Sequence, residues 1–332
     1  YDTYPLDDVQ IGLIEEYSKG LIETIVKTIE GAVDDLQPAT LSRGVGTCDF
    51  AVNRRTNREP DVPMLREQNL LLGPVDHTVP VLAVHRPDGK LAAVVFTYAC
   101  HNTVLSWQQW CGDYAGFAQY AIEERHPGAT ALFTMGCGAD QNPLPRRTVE
   151  IAQNYGKRLA DSVDAVLGQT LTPVAPRLQT AVELTPLPFG PLPSQETLER
   201  QAAEPANYQQ RWASRMLKLS ASPGGVAKEY SYPVQVWRLG NDLLWITLGG
   251  EVVVDYSLRF KGEYGWDTWV SGYCNDVMAY IPSERVLLEG GYEGQSSMYV
   301  YGQPCDRWAP GVEVRIAATV QRVVEQVGGT SK

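Results

Sequence analysis

The sequence predicts an α/β protein in which mixed β-sheets are flanked by helices, and three observations carry that prediction. Segments with helical periodicity alternate with short runs of β-branched and aromatic residues, as in layered α/β folds. Two such runs, Val79 to His85 and Leu91 to Cys100, are joined by Arg86-Pro87-Asp88-Gly89-Lys90, whose turn-forming residues close a hairpin. Polar clusters, several of them glycine-containing, directly follow several strands, where α/β folds commonly place function.

Taken in order, Ile14, Leu21, Ile25, Ile29, Val33 and Leu36 recur at helical spacing with Glu15, Glu23, Lys27 and Glu30 between them, which predicts a surface helix laying one stripe on a core. Ahead of it, Tyr1-Asp2-Thr3-Tyr4-Pro5 reads as the middle of a loop, so a further upstream segment is expected. Thr47 to Asn53 reads as a short strand, Asp113 to Arg125 as a helix, Ala131 to Met135 as a buried strand and Thr148 to Leu167 as a helix. Pro186, Pro188, Pro191 and Pro193 mark Thr185 to Pro193 as an irregular connector, because each proline removes a backbone donor. A polar helical segment spans Gln195 to Leu217, strands follow at Tyr232 to Leu239 and Leu243 to Leu248, Thr268 to Gly272 is a further apolar run, and a helix from about Val312 to Val327 closes the chain. Nothing repeats, and although the length fits one large domain or two fused halves, residues 1–332 are read as a single domain.

Composition narrows the function. With 44% hydrophobic and 20% charged residues in 332, the chain can build a substantial core. Its 39 acidic against 28 basic side chains leave a net charge of −11, which gives counterion release on a nucleic acid little to work with. No run reaches the roughly 20 apolar residues of a membrane helix. The six cysteines form no Cys-x-x-Cys pair and read as small buried side chains rather than a disulfide framework or zinc ribbon.

Four polar clusters could carry chemistry. His101 follows a strand and opens the loop His101-Asn102-Thr103-Val104, whereas His77, His85 and His126 read as structural or exposed. Leu248-Gly249-Gly250-Glu251 ends a strand in two glycines that let the backbone turn tightly, with a carboxylate next. Gly272 to Pro282, with Tyr273, Asn275, Asp276 and Tyr280, again follows a strand. Gly136-Cys137-Gly138-Ala139-Asp140-Gln141-Asn142-Pro143 has the glycines of a substrate-cradling turn, but lacks the Gly-Lys-Ser/Thr of a phosphate loop.

Together these segments resemble, in the same order, the catalytic domain of the neutral/alkaline non-lysosomal ceramidases. Asp49-Phe50-Ala51-Val52-Asn53-Arg54 is similar to that family's Asn-Arg strand end, Phe96 to Thr103 to its zinc-histidine segment, and Gly112-Asp113-Tyr114-Ala115-Gly116 to its Gly-Asp-x-x-Gly. Gly250-Glu251 resembles the Gly-Glu that supplies a zinc carboxylate, Tyr280-Ile281-Pro282-Ser283 the segment with a tyrosine ligand, and Gly291-Tyr292-Glu293-Gly294 a substrate-lining Tyr-Glu.

The resemblance implies a zinc-dependent hydrolase with His101, Glu251 and Tyr280 on the metal, cleaving an amide, in N-acyl lipids such as ceramide or other N-acyl substrates, by attack of a zinc-bound water. It implies catalytic roles for Arg54, as oxyanion stabiliser, for Asn142, and for Asp113, as an orienter of the site or a helix cap. Asn53, Tyr292, Gly138 and Asp140 are expected against the substrate. A secreted or periplasmic location is also implied. Three departures stand beside the match. The family's His-Thr-His-Ser-Gly segment, with a further ligand, would fall ahead of Tyr1, as a preceding or separate N-terminal segment; Asn142 occupies the position of its catalytic serine; and its C-terminal β-sandwich has no counterpart. A relative that binds an amide or glycan ligand without cleaving it, or an esterase, is the alternative.

Overall fold

A computed structural model describes residues 4–330, so Tyr1 to Thr3 of the expected opening loop lie outside the described residues. The strands are β1 (Thr40–Thr47), β2 (Ala51–Asn53), β3 (Thr78–His85), β4 (Leu91–Tyr98), β5 (Thr130–Met135), β6 (Gln141–Pro143), β7 (Thr172–Val174), β8 (Leu178–Pro188), β9 (Glu229–Leu239), β10 (Leu243–Leu248), β11 (Glu251–Val252), β12 (Trp269–Ser271) and β13 (Tyr280–Ile281). The helices are α1 (Asp8–Asp34), α2 (Val62–Glu67), α3 (Asp113–Arg125), α4 (Val149–Leu167), α5 (Gln195–Ala202), α6 (Tyr208–Ser220), α7 (Val254–Tyr264), α8 (Glu284–Glu289), α9 (Ser297–Val300) and α10 (Val312–Gln326).

The predicted mixed α/β architecture is what forms. One sheet has the order β5-β4-β3-β1-β7 and the other β12-β10-β9-β8, each combining antiparallel pairs with one parallel pair. The β3–β4 hairpin closes as expected: Gly89 takes φ +81°, and Asp88 accepts from the Lys90 amide at 3.1 Å. α3 and α4 cover the first sheet, burying Tyr114, Ala118, Ile122, Leu159 and Val163 with Val81, Val94 and Phe96. α7 and α10 cover the second, where Tyr256, Phe260, Ile316 and Val320 meet Val234, Val236, Ile246 and Leu248. Thr148 starts α4 by accepting from Ile151 N at 3.2 Å.

Two expectations are corrected. Thr185 to Pro188 is not irregular but the end of β8, which pairs Pro186 with Ser231 and Pro188 with Glu229. β8 is an edge strand, so alternate residues need no amide donor toward a second neighbour, and prolines fit there. The α1 stripe does not lie on a core among the described residues: no residue of α1 is buried, and Leu13, Ile22, Ile29 and Val33 are each more than half exposed. Periodicity shows that a helix has an apolar face, not what covers it. Tyr17 stacks on Trp110 with ring centroids 5.4 Å apart. Among the described residues, no helix is long and apolar enough to cross a membrane.

Candidate active site

The turn from Gly138 to Asn142 ties three strand ends together through its backbone. Ala139 N bonds Val252 O at 3.1 Å, Arg54 N bonds Asp140 O at 2.9 Å, and His101 N bonds Gln141 O at 3.0 Å. The turn can pass this close to the strand before His101 because position 138 is glycine; a Cβ there would sit 2.6 Å from Cys100 N. Asp140 lies beneath, fully buried, with Oδ2 on Asn53 Nδ2 and Oδ1 on Val254 N, both at 2.9 Å. It thereby caps α7, whose own N-cap residue, Val253, provides no side-chain acceptor. Burial raises the Asp140 pKa.

α3 brackets His101. Tyr114 Oη donates to Cys100 O, one residue before it, and the Asp113 carboxylate accepts from Val104 N at 3.2 Å and Leu105 N at 2.9 Å just after it. Asp113 takes a left-handed φ of +52°, a strained conformation held by these bonds and by Tyr114 N. The imidazole Nε2 bonds Ala139 O at 2.9 Å; since a carbonyl only accepts, Nε2 carries the proton and Nδ1 the lone pair. Burial, and secondarily Arg54, pull the His101 pKa down to about 4, so the ring is neutral at pH 7.

Glu251 and Tyr280 arrive on the short parallel pair β11–β13. Gly250 turns the chain into β11 with φ +73°, and a Cβ there would meet Ala279 O at 2.6 Å. Glu251 Oε2 accepts from Tyr273 Oη at 2.8 Å and lies 3.6 Å from His101 Nε2, while Tyr301 Oη donates to Oε1. Trp308 Nε1 anchors Tyr280 O at 2.9 Å. Burial first, then the Glu251 charge, raises the Tyr280 pKa, with Arg54 opposing.

Arg54, just past β2, lies against the paired Tyr280 and Tyr292 rings, its guanidinium carbon 5.7 Å from each centroid. Nη2 bonds Tyr280 Oη and Nη1 bonds Asn142 Oδ1, both at 3.3 Å, and Nε bonds Glu293 at 2.7 Å. Glu293 also receives Arg55 Nη1 at 2.6 Å. It and Tyr292 are presented by a π-helical turn that follows the left-handed glycines Gly290 and Gly291. A cavity of about 550 Å³ opens here, lined in part by Arg54, Asn142, Leu144 and Tyr292.

His101, Glu251, Tyr280, Arg54, Asn142 and Tyr292 are thus brought together. Asn53, Gly138 and Asp140 are buried behind the cleft rather than placed on it: Asn53 spends its amide on Pro74 O, Asp140 and Arg55 N, and Asp140 spends its carboxylate on Asn53 and Val254. Asp113 is held by backbone amides and acts on the cleft only through the His101 loop. Glu293, expected as part of a substrate-lining Tyr-Glu, and Tyr273, in one of the polar clusters, also reach the site, while Tyr301 and Arg55 complete it without having been singled out by sequence; the Arg54-Arg55 doublet was the available signal.

No family model matches the chain, and no curated protein matches it. Solved structures do. The crystal structure of the neutral ceramidase from Pseudomonas aeruginosa superposes with a TM-score of 0.67 at 18% identity, over 95% of this chain and 57% of that one. The fold is ceramidase-like. A ceramidase complexed with C2 gives the same TM-score and coverage at 16% identity. The chain therefore spans little more than half the length of the ceramidase chains it matches.

A zinc ion, implied by the ceramidase-like fold, can be tested against the residues present. Among the described residues no three His, Cys, Asp or Glu side chains form a metal-binding group, so a third donor must be of another type. Tyr280, in register with Glu251, is the side chain that would supply it. His101 meets the requirement of a ligand whose other ring nitrogen donates to a backbone carbonyl. One imidazole, one carboxylate and one phenol fit the borderline preferences of zinc, and three protein donors are the usual complement of a catalytic zinc.

Proposed function

We propose that this chain is a zinc-dependent hydrolase of acyl amides. The observation that supports it most is the position of Arg54, which donates on one side to Tyr280 and on the other to Asn142. A fixed cation thus stands between the candidate metal donors and the residue at the matching serine position. On this reading His101, Glu251 and Tyr280 hold the metal. Zinc, when bound, supplies a water with a pKa near 7 and polarises a carbonyl.

Arg54 then holds the carbonyl oxygen of the scissile amide and the negative charge that develops on it. Asn142 turns its Oδ1 to Arg54, which leaves Nδ2 as a second donor toward the cavity it lines. Its amide cannot serve as a nucleophile, so no acyl group is carried on residue 142. The Tyr292 ring lies against Arg54 and limits the guanidinium's motion. By likeness to the neutral ceramidase, N-acyl lipids such as ceramide are the first substrates to test. Metal content and hydrolysis of a short-chain N-acylsphingosine, measured on wild type and Glu251→Gln, decide the matter: the wild type carries about one zinc and turns over, and the variant loses both. Turnover by metal-free protein would overturn the reading.

A ceramidase-like protein that binds its ligand without cleaving it is the second reading. It draws on one observation, that His101 and Glu251 are joined by no third His, Cys, Asp or Glu among the described residues.

A further inference from the structure

We propose that the amide this site accepts bears a carboxylate a few bonds from the scissile carbonyl, as in an N-acyl amino acid, rather than a neutral polar head; this rests on the hydrolase reading above. The cavity beside Arg54 is lined by the guanidinium groups of Arg54, Arg55, Arg58 and Arg146 against the carboxylates of Glu59 and Glu293 alone. That is an excess of two positive charges in a protein whose net charge is −11. A cleft of one sign concentrates ligands of the other.

The pairing within the cavity shows where the unspent charge lies. Arg146 is committed to Glu59, with Nε 3.0 Å from both oxygens and Nη2 2.7 Å from one. Glu293 is divided, one oxygen to Arg54 and the other to Arg55, so two guanidiniums share one negative charge. Glu289 reaches Arg55 Nη2 at 2.9 Å, but it is 44% exposed and also holds Arg285, so it lies in solvent with its charge divided. Arg55 itself is only 10% exposed, and its Nε is buried without a hydrogen-bond partner. At the rim, Arg58 is 83% exposed and faces Asp61 at 3.7 Å, a contact too long and too wet to fix it. The partly offset guanidiniums of Arg54 and Arg55 in the wall and the mobile cation of Arg58 at the mouth are what a small carboxylate would engage, and the size is that of a cavity for a small molecule.

The test compares N-hexanoylglycine with its uncharged analogue N-hexanoylglycinamide, by calorimetric binding and by hydrolysis, on the zinc-loaded protein. The carboxylate compound should bind about 10-fold more tightly, the worth of one added charge-assisted hydrogen bond. The ratio should shrink as salt is raised. Arg58→Gln, at an exposed position, should reduce the ratio by roughly 3-fold, and Arg55→Gln should remove most of it; if Arg55→Gln fails to fold, Arg58→Gln decides alone. Equal affinities, no binding of either compound, or a ratio unchanged in Arg58→Gln would overturn the proposal. Equal turnover of both amides would also overturn it while leaving the hydrolase reading standing. Selective binding of N-hexanoylglycine without turnover would do the reverse, supporting the charge selectivity and removing the hydrolase.

Discussion

Glu251 and Tyr280 are register partners across the two-stranded parallel sheet of β11 and β13, so a carboxylate and a phenol enter the cleft from one short piece of paired backbone. Their spacing is set by main-chain bonds, Glu251 N to Ala279 O at 2.8 Å and Val253 N to Ile281 O at 3.2 Å, rather than by side-chain packing. A change at either side chain should therefore alter chemistry without moving its partner.

Glu251→Gln tests this directly. The amide keeps an acceptor oxygen for only one of Tyr273 and Tyr301, which donate to different carboxylate oxygens, and it is a poor metal ligand, so zinc affinity should drop by at least 10- to 100-fold, the loss produced by disturbing even an outer partner of a ligand. Elemental analysis after dialysis reads the loss, and an unchanged melting temperature of the metal-free forms separates it from misfolding. Full zinc occupancy in the variant would remove Glu251 from the ligand set.

Tyr301→Phe removes one of the two phenol donors that orient the Glu251 carboxylate. Zinc affinity should fall about 10-fold, as for other outer partners of a metal ligand. A competition titration against a chelator measures it, and an affinity within error of wild type would show that Tyr301 merely packs beside Tyr280.

Asn142→Ala should lower kcat by roughly 10²- to 10³-fold, the loss of one oxyanion donor, with zinc still bound. Single-turnover hydrolysis in ¹⁸O-water should place label directly in the released acid. Wild-type kinetics in the variant would discard the role of Asn142, and an acyl group trapped on any side chain would discard direct attack by water.

Lys261 and Asp76 form a buried ion pair, 2% and 7% exposed, with Ser257 and Thr78 also on the Asp76 carboxylate. Burial pushes the Asp76 pKa up, but Lys261 and the hydroxyl donors outweigh it and hold the group below its usual value. Its contribution to stability is therefore complete above about pH 4, the unfolded value, and is lost as pH falls through the lower folded value. Lys261→Met leaves a lone buried carboxylate and should cost about 3–5 kcal/mol at pH 7. In the variant only the hydroxyl donors oppose burial, so the Asp76 pKa rises and protonation then relieves the folded state. The stability gap between the two proteins, from chemical denaturation, should narrow from pH 7 to pH 4; a constant gap would mean that Asp76 is not the source.

What the sequence disclosed depended on how local the cause was. The β3–β4 hairpin, β10 and α3 are written in turn residues, alternation and periodicity, and they formed where expected. β8 was hidden because prolines are tolerated only at an edge, and edge position is a property of the sheet. The convergence of Tyr273 and Tyr301 on Glu251 joins residues 22 and 50 positions away in the chain, which no spacing rule encodes. Likewise the burial of Asn53 and Asp140 behind the cleft follows from their bonding to each other across 87 residues.

The turn fastens His101 and Arg54 through the main-chain carbonyls of residues 139, 140 and 141, and its Asp140 side chain holds Asn53 and Val254 behind them. Position 142 follows directly, its backbone paired with Val52 and its side chain contributing only a long bond to Arg54. The architecture thus separates what it must inherit from what it can exchange. A hydroxyl, a thiol or an amide can be tried at residue 142 with the same scaffold beneath it, so the chemistry offered at that position can change by one substitution without a change of fold.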